Sequence, residues 1–329
     1  MSQLGIPNLD PKLEVDLLAG MVKVESFIRE SIEGKYPLVI ETSRHLVDAG
    51  GKRLRPLMVL LASHFGDPTA PGLIEAAVVC ELTHLGTLYH DDVMDEAPLR
   101  RGVESANKRW NNTVAILTGD YLFAKTSQLL ADLGPEAVRL QALTFERLVI
   151  GQITETQGST SGLSMLDHYI SVIADKTASL LSASARYGAM ISGADSKVIE
   201  ALTKFGEEIG IVFQLADDII DIESTSGESG KTPGTDLREG VPTLVTLFIL
   251  ASDDPADQEL KKRLSAPIID ENLVQQTLQT LRTHKAMAQA KELVQKYAES
   301  ARQQLKDLPD GPAKQALVEL SDAVINRTA

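Results

Sequence analysis

The spacing of apolar residues along the chain is that of a helical protein. In the segment 13–32, apolar residues stand at Leu13, Leu17, Met21 and Val24, close to the 3.6-residue period of one helix face. Residues 73–95 form a nearly unbroken apolar run that ends in carboxylates and is too long for a strand. Alternating strand-type runs bounded by turn residues do not occur in the sequence. The pattern therefore predicts an all-α fold with a buried helix at 73–95.

Further helices are predicted at 113–133, 136–156, 165–192 and 196–222. The clearest break is the segment 224–236, STSGESGKTPGTD, whose glycines and serines predict a mobile surface loop that holds no packed helix. No charged or proline-rich linker and no repeat of fixed period divides the chain. We therefore predict a single domain over 1–329, in which the helices after residue 241 extend the same bundle.

Composition narrows the class of protein. The 329 residues are 43% hydrophobic but only 4% aromatic, and the formal net charge of −14 argues against a general nucleic-acid binder, which needs a basic surface. The single cysteine, Cys80, excludes an internal disulfide and is typical of a reducing compartment. The N-terminus does not resemble a signal peptide, and every apolar window falls short of the ~20 residues of a membrane span. We predict a cytoplasmic protein without a nucleic-acid partner.

Two Asp-Asp-x-x-Asp clusters stand at the ends of apolar helices. The first comprises Asp91, Asp92 and Asp95, and the second comprises Asp217, Asp218 and Asp221. Residues i and i+4 share one helix face, so each cluster directs two like charges the same way, which destabilises a helix unless something compensates. Divalent cations with oxygen ligands supply that compensation, and Mg²⁺ commonly bridges a few carboxylates to substrate phosphates. A single cluster is as readily a solvated helix end, but two in this context predict a metal site.

Basic residues accompany both clusters. Gly50-Gly51-Lys52-Arg53-Leu54-Arg55-Pro56 precedes a helix that is predicted to begin at or after Pro56, and Lys52 with Arg55 is suited to clamp a phosphate. Arg100 and Arg101 follow the first cluster, and His84 lies two helical turns before Asp91. Each feature alone fits a solvated turn or a satisfied core histidine. Their joint placement beside the carboxylates favours anion binding.

A second group of polar residues lies later in the chain. It consists of Lys176 and Thr177 within an apolar helix, Gln214 one turn before the second cluster, and Lys231 in the glycine-rich loop. Six carboxylates and a bound diphosphate carry a charge of roughly −9, which about three Mg²⁺ ions together with Lys176, Lys231 and Arg100 would balance. The site is therefore predicted to need metals and basic residues together.

These stretches resemble the trans-isoprenyl diphosphate synthases, also called polyprenyl synthetases, and in particular the bacterial medium- and long-chain members. The resemblance rests on GGKRLRP, ELTHLGTLYHDDVMDEAPLRRG, GDYLFA, DKTASL, FQLADDIID and GKTPGTDLREG, between residues 50 and 240. It implies a homodimeric helical bundle around a central cavity, with Mg²⁺ as the cofactor. The implied substrates are isopentenyl diphosphate and an allylic diphosphate. The isopentenyl diphosphate is expected on Lys52, Arg55, His84 and Arg101. Metal is expected on Asp91, Asp92, Asp95, Asp217, Asp218 and Asp221. The allylic diphosphate is expected on Arg100, Lys176, Thr177, Gln214 and Lys231.

The mechanism expected of such a site is an electrophilic elongation. Cations stabilise the leaving diphosphate so that the allylic C–O bond ionises, the double bond of isopentenyl diphosphate attacks, and a proton is lost. No side chain is an obvious general base, so the departed diphosphate is the expected proton acceptor. Apolar walls and a closing loop are expected to exclude water, and transient membrane contact would serve release of the product.

Product length is predicted from the helix that precedes the first cluster. Its stripe toward the N-terminus consists of Val79, Thr83 and Thr87, with Gly86 adjacent, and none of these is aromatic. In the family, bulky residues just before the first motif give short products. The sequence therefore predicts a product of about six to ten isoprene units, of the kind used for quinone side chains. A stop on another helix, and hence a short farnesyl or geranylgeranyl product, stays an alternative.

Two further alternatives remain at this point. A class I terpene cyclase shares the helical fold and an Asp-rich site, but the second Asp cluster and the basic clamp argue against it. A non-catalytic subunit of a heteromeric synthase would not need both clusters intact.

Overall fold

The computed structural model describes residues 3–158, 162–224 and 233–326, and these residues fold almost entirely into helices. The helices are α1 (Pro11–Ser31), α2 (Pro37–Asp48), α3 (Leu54–Ser63), α4 (Leu73–Met94), α5 (Ala106–Arg109), α6 (Asn112–Leu133), α7 (Pro135–Gln157), α8 (Met165–Ile173), α9 (Ser179–Ile191), α10 (Ser196–Glu223), α11 (Thr235–Glu239), α12 (Leu244–Leu250), α13 (Gln258–Leu264), α14 (Glu271–Thr283), α15 (Lys285–Gln304) and α16 (Pro312–Asn326). A π-helical turn, Ala174–Ala178, joins α8 to α9, and a 3₁₀ turn, Pro255–Asp257, precedes α13. The all-α fold predicted from the sequence is confirmed.

Polar caps and breaker residues set the ends of these helices. The Asp10 side chain accepts hydrogen bonds from the backbone N–H groups of Lys12 and Leu13 at the start of α1. Asn111 caps α6 in the same way by accepting from the Val114 N–H. Gly134 then ends α6, and Pro135 occupies the first position of α7, where its missing N–H costs nothing. These local signals explain why the sequence located the helices within one or two residues.

The core is arranged around α4. This helix packs against α3, α6 and α9, while α9 in turn packs on α10, and α10 packs on α15. Its residues from Ala76 to Thr83 are buried without interruption, among them Val78 and Leu82 at 0% exposure, and Leu85 is also at 0%. The predicted buried helix at 73–95 is therefore confirmed, and the later helices do extend the same bundle. The first Asp cluster lies at the C-terminal end of α4, and the second lies near that of α10.

The structure departs from the sequence prediction in four places. Helix α3, predicted to begin at or after Pro56, begins at Leu54. The helix predicted over 165–192 is interrupted by the π turn. A two-residue antiparallel ladder, β1 (Leu99–Arg100) with β2 (Val103–Glu104), forms where no strand was predicted. The segment predicted as a surface loop, 224–236, ends in the first turn of α11, with Pro233 and Gly234 buried. Residues 225–232 of that segment, including Lys231, lie outside the described residues.

None of the helices in the described ranges is both long enough and apolar enough to cross a membrane. The single domain over 1–329 and the cytoplasmic location stay predictions.

Candidate active site

The first Asp cluster is divided between two environments. Burial, together with the neighbouring charge of Asp95, raises the pKa of Asp91 to about 6, while Lys176 and Arg100 act in the opposite direction. The carboxylate of Asp92 is fully buried and accepts a 2.6 Å hydrogen bond from Arg100 Nε. Its other oxygen, Oδ2, has no hydrogen-bond partner among the described residues. Asp91 therefore faces the cationic side chains across the site, and Asp92 is anchored by Arg100.

The second Asp cluster is held by neighbouring helices. Asp218, 3% exposed, accepts hydrogen bonds from the Tyr169 hydroxyl, from Gln214 Nε2 at 3.2 Å and from the Leu244 N–H at 3.2 Å. The two carboxylate oxygens of Asp221 accept from the N–H groups of Thr235 and Asp236, at 3.3 and 3.4 Å, at the start of α11. This arrangement fixes α10 against α8, α11 and α12 at the level of the cluster.

Glu239 shows that the two clusters border one region. Loss of solvent raises the pKa of this carboxyl, the charges of Asp95 and Asp221 raise it further, and Arg100 lowers it. Asp95 belongs to the first cluster and Asp221 to the second. The carboxyl of Glu239 on α11 is therefore influenced by negative charge from the ends of both α4 and α10.

The carboxylates fit a divalent cation that is shared with a diphosphate. No three His, Cys, Asp or Glu side chains of the described ranges converge into a ready-made metal site. The pKa of Asp91 is raised beside Asp95, and a buried oxygen of Asp92 has no hydrogen-bond partner among the described residues. Both features indicate negative charge that lacks compensation, which a bound cation would supply. Mg²⁺ keeps several waters and binds one or two carboxylates plus substrate phosphates, so it does not require a closed protein cage.

The predicted basic clamp is built around a buried carboxylate. Glu81, 1% exposed, accepts a 2.8 Å hydrogen bond from an η nitrogen of Arg53 and lies 3.8 Å from an η nitrogen of Arg101. The negative charge of Glu81 also acts on Arg55, where it raises the pKa against the effect of burial. The buried Nε of Arg55 has no hydrogen-bond partner in the part of the chain that the structure describes. The inward-turned Arg53 is thus a structural tie, and the predicted clamp residues stay Lys52, which precedes α3, and Arg55, which lies in its first turn.

A tight hairpin positions the two consecutive arginines. Arg101 and Gly102 form the turn between β1 and β2, both with positive φ (54° and 80°). Arg100 points to Asp92, whereas Arg101 donates hydrogen bonds to the carbonyls of Leu46, at 2.8 Å, and Gly50. A Cβ atom at Gly51 would lie 2.9 Å from the Arg101 guanidinium carbon, so this glycine makes room for the side chain.

His84 lies among these arginines and is held neutral. Burial lowers its pKa well below the ordinary value, and the charges of Arg55, Arg101 and Arg100 lower it further. The Lys52 ammonium lies 5.1 Å from the centre of the Phe213 ring, beside Gln214 on α10. The predicted residues Arg55, His84 and Arg101 therefore lie near one another, although they come from three segments of the chain, and Lys52 lies against α10.

The predicted allylic-side residues meet where the π turn lies against α10. The Thr177 hydroxyl is 3.4 Å from Gln214 Oε1, and Gln214 Nε2 bonds to Asp218. The Lys176 ammonium forms a 2.5 Å ion pair with Glu155 of α7 and acts electrostatically on Asp91. Arg100 joins this group through Asp92. The structure therefore brings together four of the five predicted residues; the fifth, Lys231, lies outside the described residues.

Neighbouring helices add bulk and polarity beside the predicted chain-length stripe. A Cβ at Gly86 would lie 2.8 Å from the Phe123 ring of α6, and the Phe123 ring packs at a 59° tilt against Phe145 of α7, with ring centres 4.7 Å apart. One turn further from the Asp cluster, Gln141 Nε2 donates a 2.8 Å hydrogen bond to the buried Thr83 hydroxyl. Val79 is fully buried, and the Thr87 hydroxyl bonds back to the His84 carbonyl.

Sequence reasoning missed several residues that support this site. Four of them contact a predicted site residue from another part of the chain: they are Glu81, Tyr169, Gln141 and Phe123. Arg147 instead bonds to the backbone and side chain just before Lys176, and Glu239 is influenced by the charges of Asp95 and Asp221. A charged Glu81 within the longest apolar run was the one available signal, because a buried carboxylate requires a partner. The other contacts depend on which helices become neighbours.

The helical fold and the two Asp-rich helix ends are those of the isoprenoid synthase class. The family model "Polyprenyl synthetase" matches residues 36–281. A nonaprenyl diphosphate synthase of Mycobacterium tuberculosis is 46% identical over 98% of this chain and 97% of its own length. Component 2 of the heptaprenyl diphosphate synthase of Bacillus subtilis is 34% identical over 92% of this chain and 87% of its own.

Among solved structures, the geranylgeranyl pyrophosphate synthase of Corynebacterium glutamicum, complexed with calcium and isoprenyl diphosphate, is similar to this chain. It superposes with a TM-score of 0.87 at 42% identity and covers 97% of this chain and 98% of its own. The chain belongs to the polyprenyl synthetase family. It is therefore a prenyltransferase of isoprenoid biosynthesis.

Proposed function

We propose that the protein condenses isopentenyl diphosphate with an allylic diphosphate, head to tail, in a Mg²⁺-dependent reaction. The observation that carries this proposal is that basic and polar side chains contact both Asp clusters, Arg100 at Asp92 and the Thr177–Gln214 pair at Asp218, with an arginine pocket around Glu81 on the helix of the first cluster. Two adjacent diphosphates need two sources of positive charge. The carboxylates supply one through bound metal, and Lys52, Arg55 and Arg101 supply the other.

Each group of residues has a separate task in this mechanism. The six aspartates would hold Mg²⁺, which would neutralise charge on the allylic diphosphate. Arg100 and Lys176 add fixed positive charge at the same group, so that the allylic C–O bond breaks with the electron pair leaving on the diphosphate. Lys52, Arg55 and Arg101 orient isopentenyl diphosphate so that its double bond faces the allylic cation.

The neutral state of His84 suits the second substrate. An imidazole among arginines adds no further repulsion and donates one hydrogen bond to a phosphate oxygen through its single N–H. The proton lost after carbon–carbon bond formation goes to the departed diphosphate, which is the nearest strong acceptor. Lys231 is proposed to assist that diphosphate from the glycine-rich loop.

A long product, of about six to ten units, is the first candidate for the outcome. The stripe of Val79, Thr83, Gly86 and Thr87 carries no large side chain on α4 itself. The Mycobacterium tuberculosis relative is called a nonaprenyl diphosphate synthase. A chain of this length suits a quinone side chain.

A shorter product is a second candidate, which the neighbouring helices favour. Phe123 and Phe145 place two rings one turn from the Asp cluster, beside Gly86. Gln141 and Thr83 then place hydrogen-bonding groups about 12 Å from Asp91, at 1.5 Å of rise per residue. Gln141 Oε1 is buried without a hydrogen-bond partner in the described ranges, and an apolar tail cannot supply one. The Corynebacterium glutamicum relative is called a geranylgeranyl pyrophosphate synthase.

Two substitutions decide between these candidates. If the product passes Phe123 and Gln141, a Phe123→Ala variant and a Gln141→Leu variant are expected to change product length little. If these residues end the chain, both variants are expected to extend it by one or more isoprene units, because they remove bulk or polarity from the path. Chromatography of radiolabelled products measures the length. Phe248→Ala, on α12, serves as the control for loss of a phenyl ring away from α4.

The activity itself is tested with the purified chain, isopentenyl diphosphate, a series of allylic primers and Mg²⁺. Elongation that chelation by EDTA abolishes is expected. A terpene cyclase would instead convert the allylic primer without consuming isopentenyl diphosphate. A protein that elongates only after a second polypeptide is added would be a subunit of a heteromeric synthase, as the name "component 2" of the Bacillus subtilis relative states for that protein.

A homodimer is proposed through α6 and α7. Both helices expose apolar side chains along their outer faces, including Leu117 at 60% on α6 and Leu143 at 56% and Ile153 at 50% on α7. An exposed apolar face of this extent marks an interaction surface. A second copy of the chain suits it because two copies of the same apolar face would cover each other. The solution mass, against 35.6 kDa for one copy, measures this directly.

A further inference from the structure

The π turn that carries Lys176 and Thr177 is wedged between two helices. π turns are rare and are frequent at functional sites. A Cβ at Gly151 of α7 would lie 2.7 Å from the Lys176 backbone nitrogen, and a Cβ at Gly210 of α10 would lie 2.6 Å from the Ala178 Cα. The backbone of the turn therefore packs directly against both helices. Its position decides where the two side chains point.

Arg147 lies four residues before Gly151 on α7, and its guanidinium donates hydrogen bonds to the π turn. Its Nε donates to Asp175 Oδ1 at 2.7 Å, and an η nitrogen donates to the Ala174 carbonyl at 3.2 Å. The two η nitrogens also reach the two carboxylate oxygens of Glu207 on α10, at 3.0 and 2.5 Å. One side chain thus connects α7, the π turn and α10.

Helix α10 leads from the Arg147 contacts to the candidate active site. Glu207, Gln214 and Asp218 are spaced seven and four residues apart, so they lie along one face of α10. Gln214 meets Thr177 of the π turn and bonds to Asp218 of the second Asp cluster. The π turn and α10 are therefore joined at one level by Arg147 and at another by the Thr177–Gln214–Asp218 contacts.

We propose that Arg147 is a positioning residue for the allylic diphosphate: it fixes the π turn against α10 so that Lys176 and Thr177 face the Asp clusters. This inference rests on the proposed function. The side-chain partners of Arg147 are Asp175 and Glu207, which lie outside the Asp clusters. Its effect passes through Asp175 and Glu207.

A purely stabilising ion pair would behave differently. Arg147, Asp175 and Glu207 are 39%, 32% and 29% exposed, so solvent partly screens their ion pairs and limits what these contribute to stability. Small displacements of substrate-positioning groups, in contrast, reduce rates strongly. Substitution of Arg147 should therefore affect binding of one substrate much more than the melting temperature.

The test is an Arg147→Lys variant, which keeps the charge but loses the planar fork. The KM for the allylic diphosphate is expected to rise on the order of tenfold, the KM for isopentenyl diphosphate to change less than about twofold, and the melting temperature to stay near that of the unchanged chain. Arg139→Lys, at an exposed position of the same helix, is the matched control and should change neither KM. Glu207→Gln should reproduce the Arg147→Lys effect, and the double variant should add little to either single one.

A binding measurement separates this proposal from the proposed function. Calorimetry with Mg²⁺ and inorganic diphosphate requires no turnover, and weaker binding on the order of tenfold is expected for Arg147→Lys but not for Arg139→Lys. If the unchanged chain elongates nothing, the proposed function fails, while this measurement still tests Arg147. Equal changes in both KM values, unchanged diphosphate binding, or a loss of stability that accounts for the loss of activity would overturn the positioning role.

Discussion

An Asp91→Asn variant is expected to lose on the order of 10³-fold in kcat, while its metal-free form becomes more stable than the unchanged chain. The activity falls because one oxygen ligand for Mg²⁺ loses its charge. The stability rises because burial and Asp95 disfavour the ionised carboxyl, whose pKa is raised to about 6. A shift of this size corresponds to a stabilisation of up to about 3 kcal/mol.

The pH dependence follows from the direction of that shift. The pKa of Asp91 in the folded state lies above its ordinary value of 3.8, so ionisation costs stability. The cost is absent below pH 3.8, grows between pH 3.8 and about 6, and is complete above that. The melting temperatures of the metal-free variant and the unchanged chain should therefore coincide at the acidic end and diverge toward neutral pH.

Added Mg²⁺ should reverse the order, because only the unchanged chain gains a fully charged ligand set. Glu96→Gln, an exposed acid just beyond the cluster, is the control and should change neither stability nor kcat substantially. Melting curves with and without Mg²⁺, together with initial rates, provide both readouts. An Asp91→Asn variant that is less stable without metal would contradict this account of the site.

An Arg53→Met variant is expected to lose about 3–5 kcal/mol of folding free energy, the largest stability effect that the structure indicates. The Arg53 side chain is 6% exposed and pairs with Glu81 and Glu25, and it donates to the Val47 carbonyl. Its removal leaves the Glu81 carboxylate buried at 1% exposure with only the more distant Arg101 and Arg55 for compensation. The midpoint of urea unfolding measures the loss.

Arg29→Met is the matched control for this result. Arg29 bonds to the same Glu25, at 3.1 Å, and to Asp48, but it is 41% exposed. Exposed pairs contribute about 0–1 kcal/mol, so its substitution should shift the midpoint only slightly. Equal shifts for the two variants would show that the burial of Arg53 and Glu81 does not decide their contribution.

The fold was predictable where one segment carried its own signal. The apolar run of α4 could only be a buried helix, and caps such as Asp10 and breakers such as Pro135 marked helix ends. The π turn was not predictable, because it depends on the close approach that Gly151 and Gly210 permit from other helices. The β1–β2 hairpin was missed because two-residue strands carry no alternating pattern.

The candidate site divides in the same way. The aspartates and the basic clamp could be proposed from residue types and spacing, because each group carries its own local motif. The roles of Phe123 and Gln141 could not, since their importance comes only from lying against Gly86 and Thr83. Whether a small residue leaves free space is decided by the helix across from it. A prediction of product length from α4 alone therefore considers only one wall of the proposed product tunnel and leaves out the side chains of α6 and α7.

Helix α4 carries Glu81, His84, Thr83 and Asp91 along 22 consecutive helical residues. It therefore fixes the distance and the angle between the arginine pocket and the first Asp cluster. One residue inserted between His84 and Asp91 would rotate one site against the other by about 100° and move it by about 1.5 Å. The number of residues between His84 and Asp91 would therefore set how far apart the two proposed diphosphate sites lie.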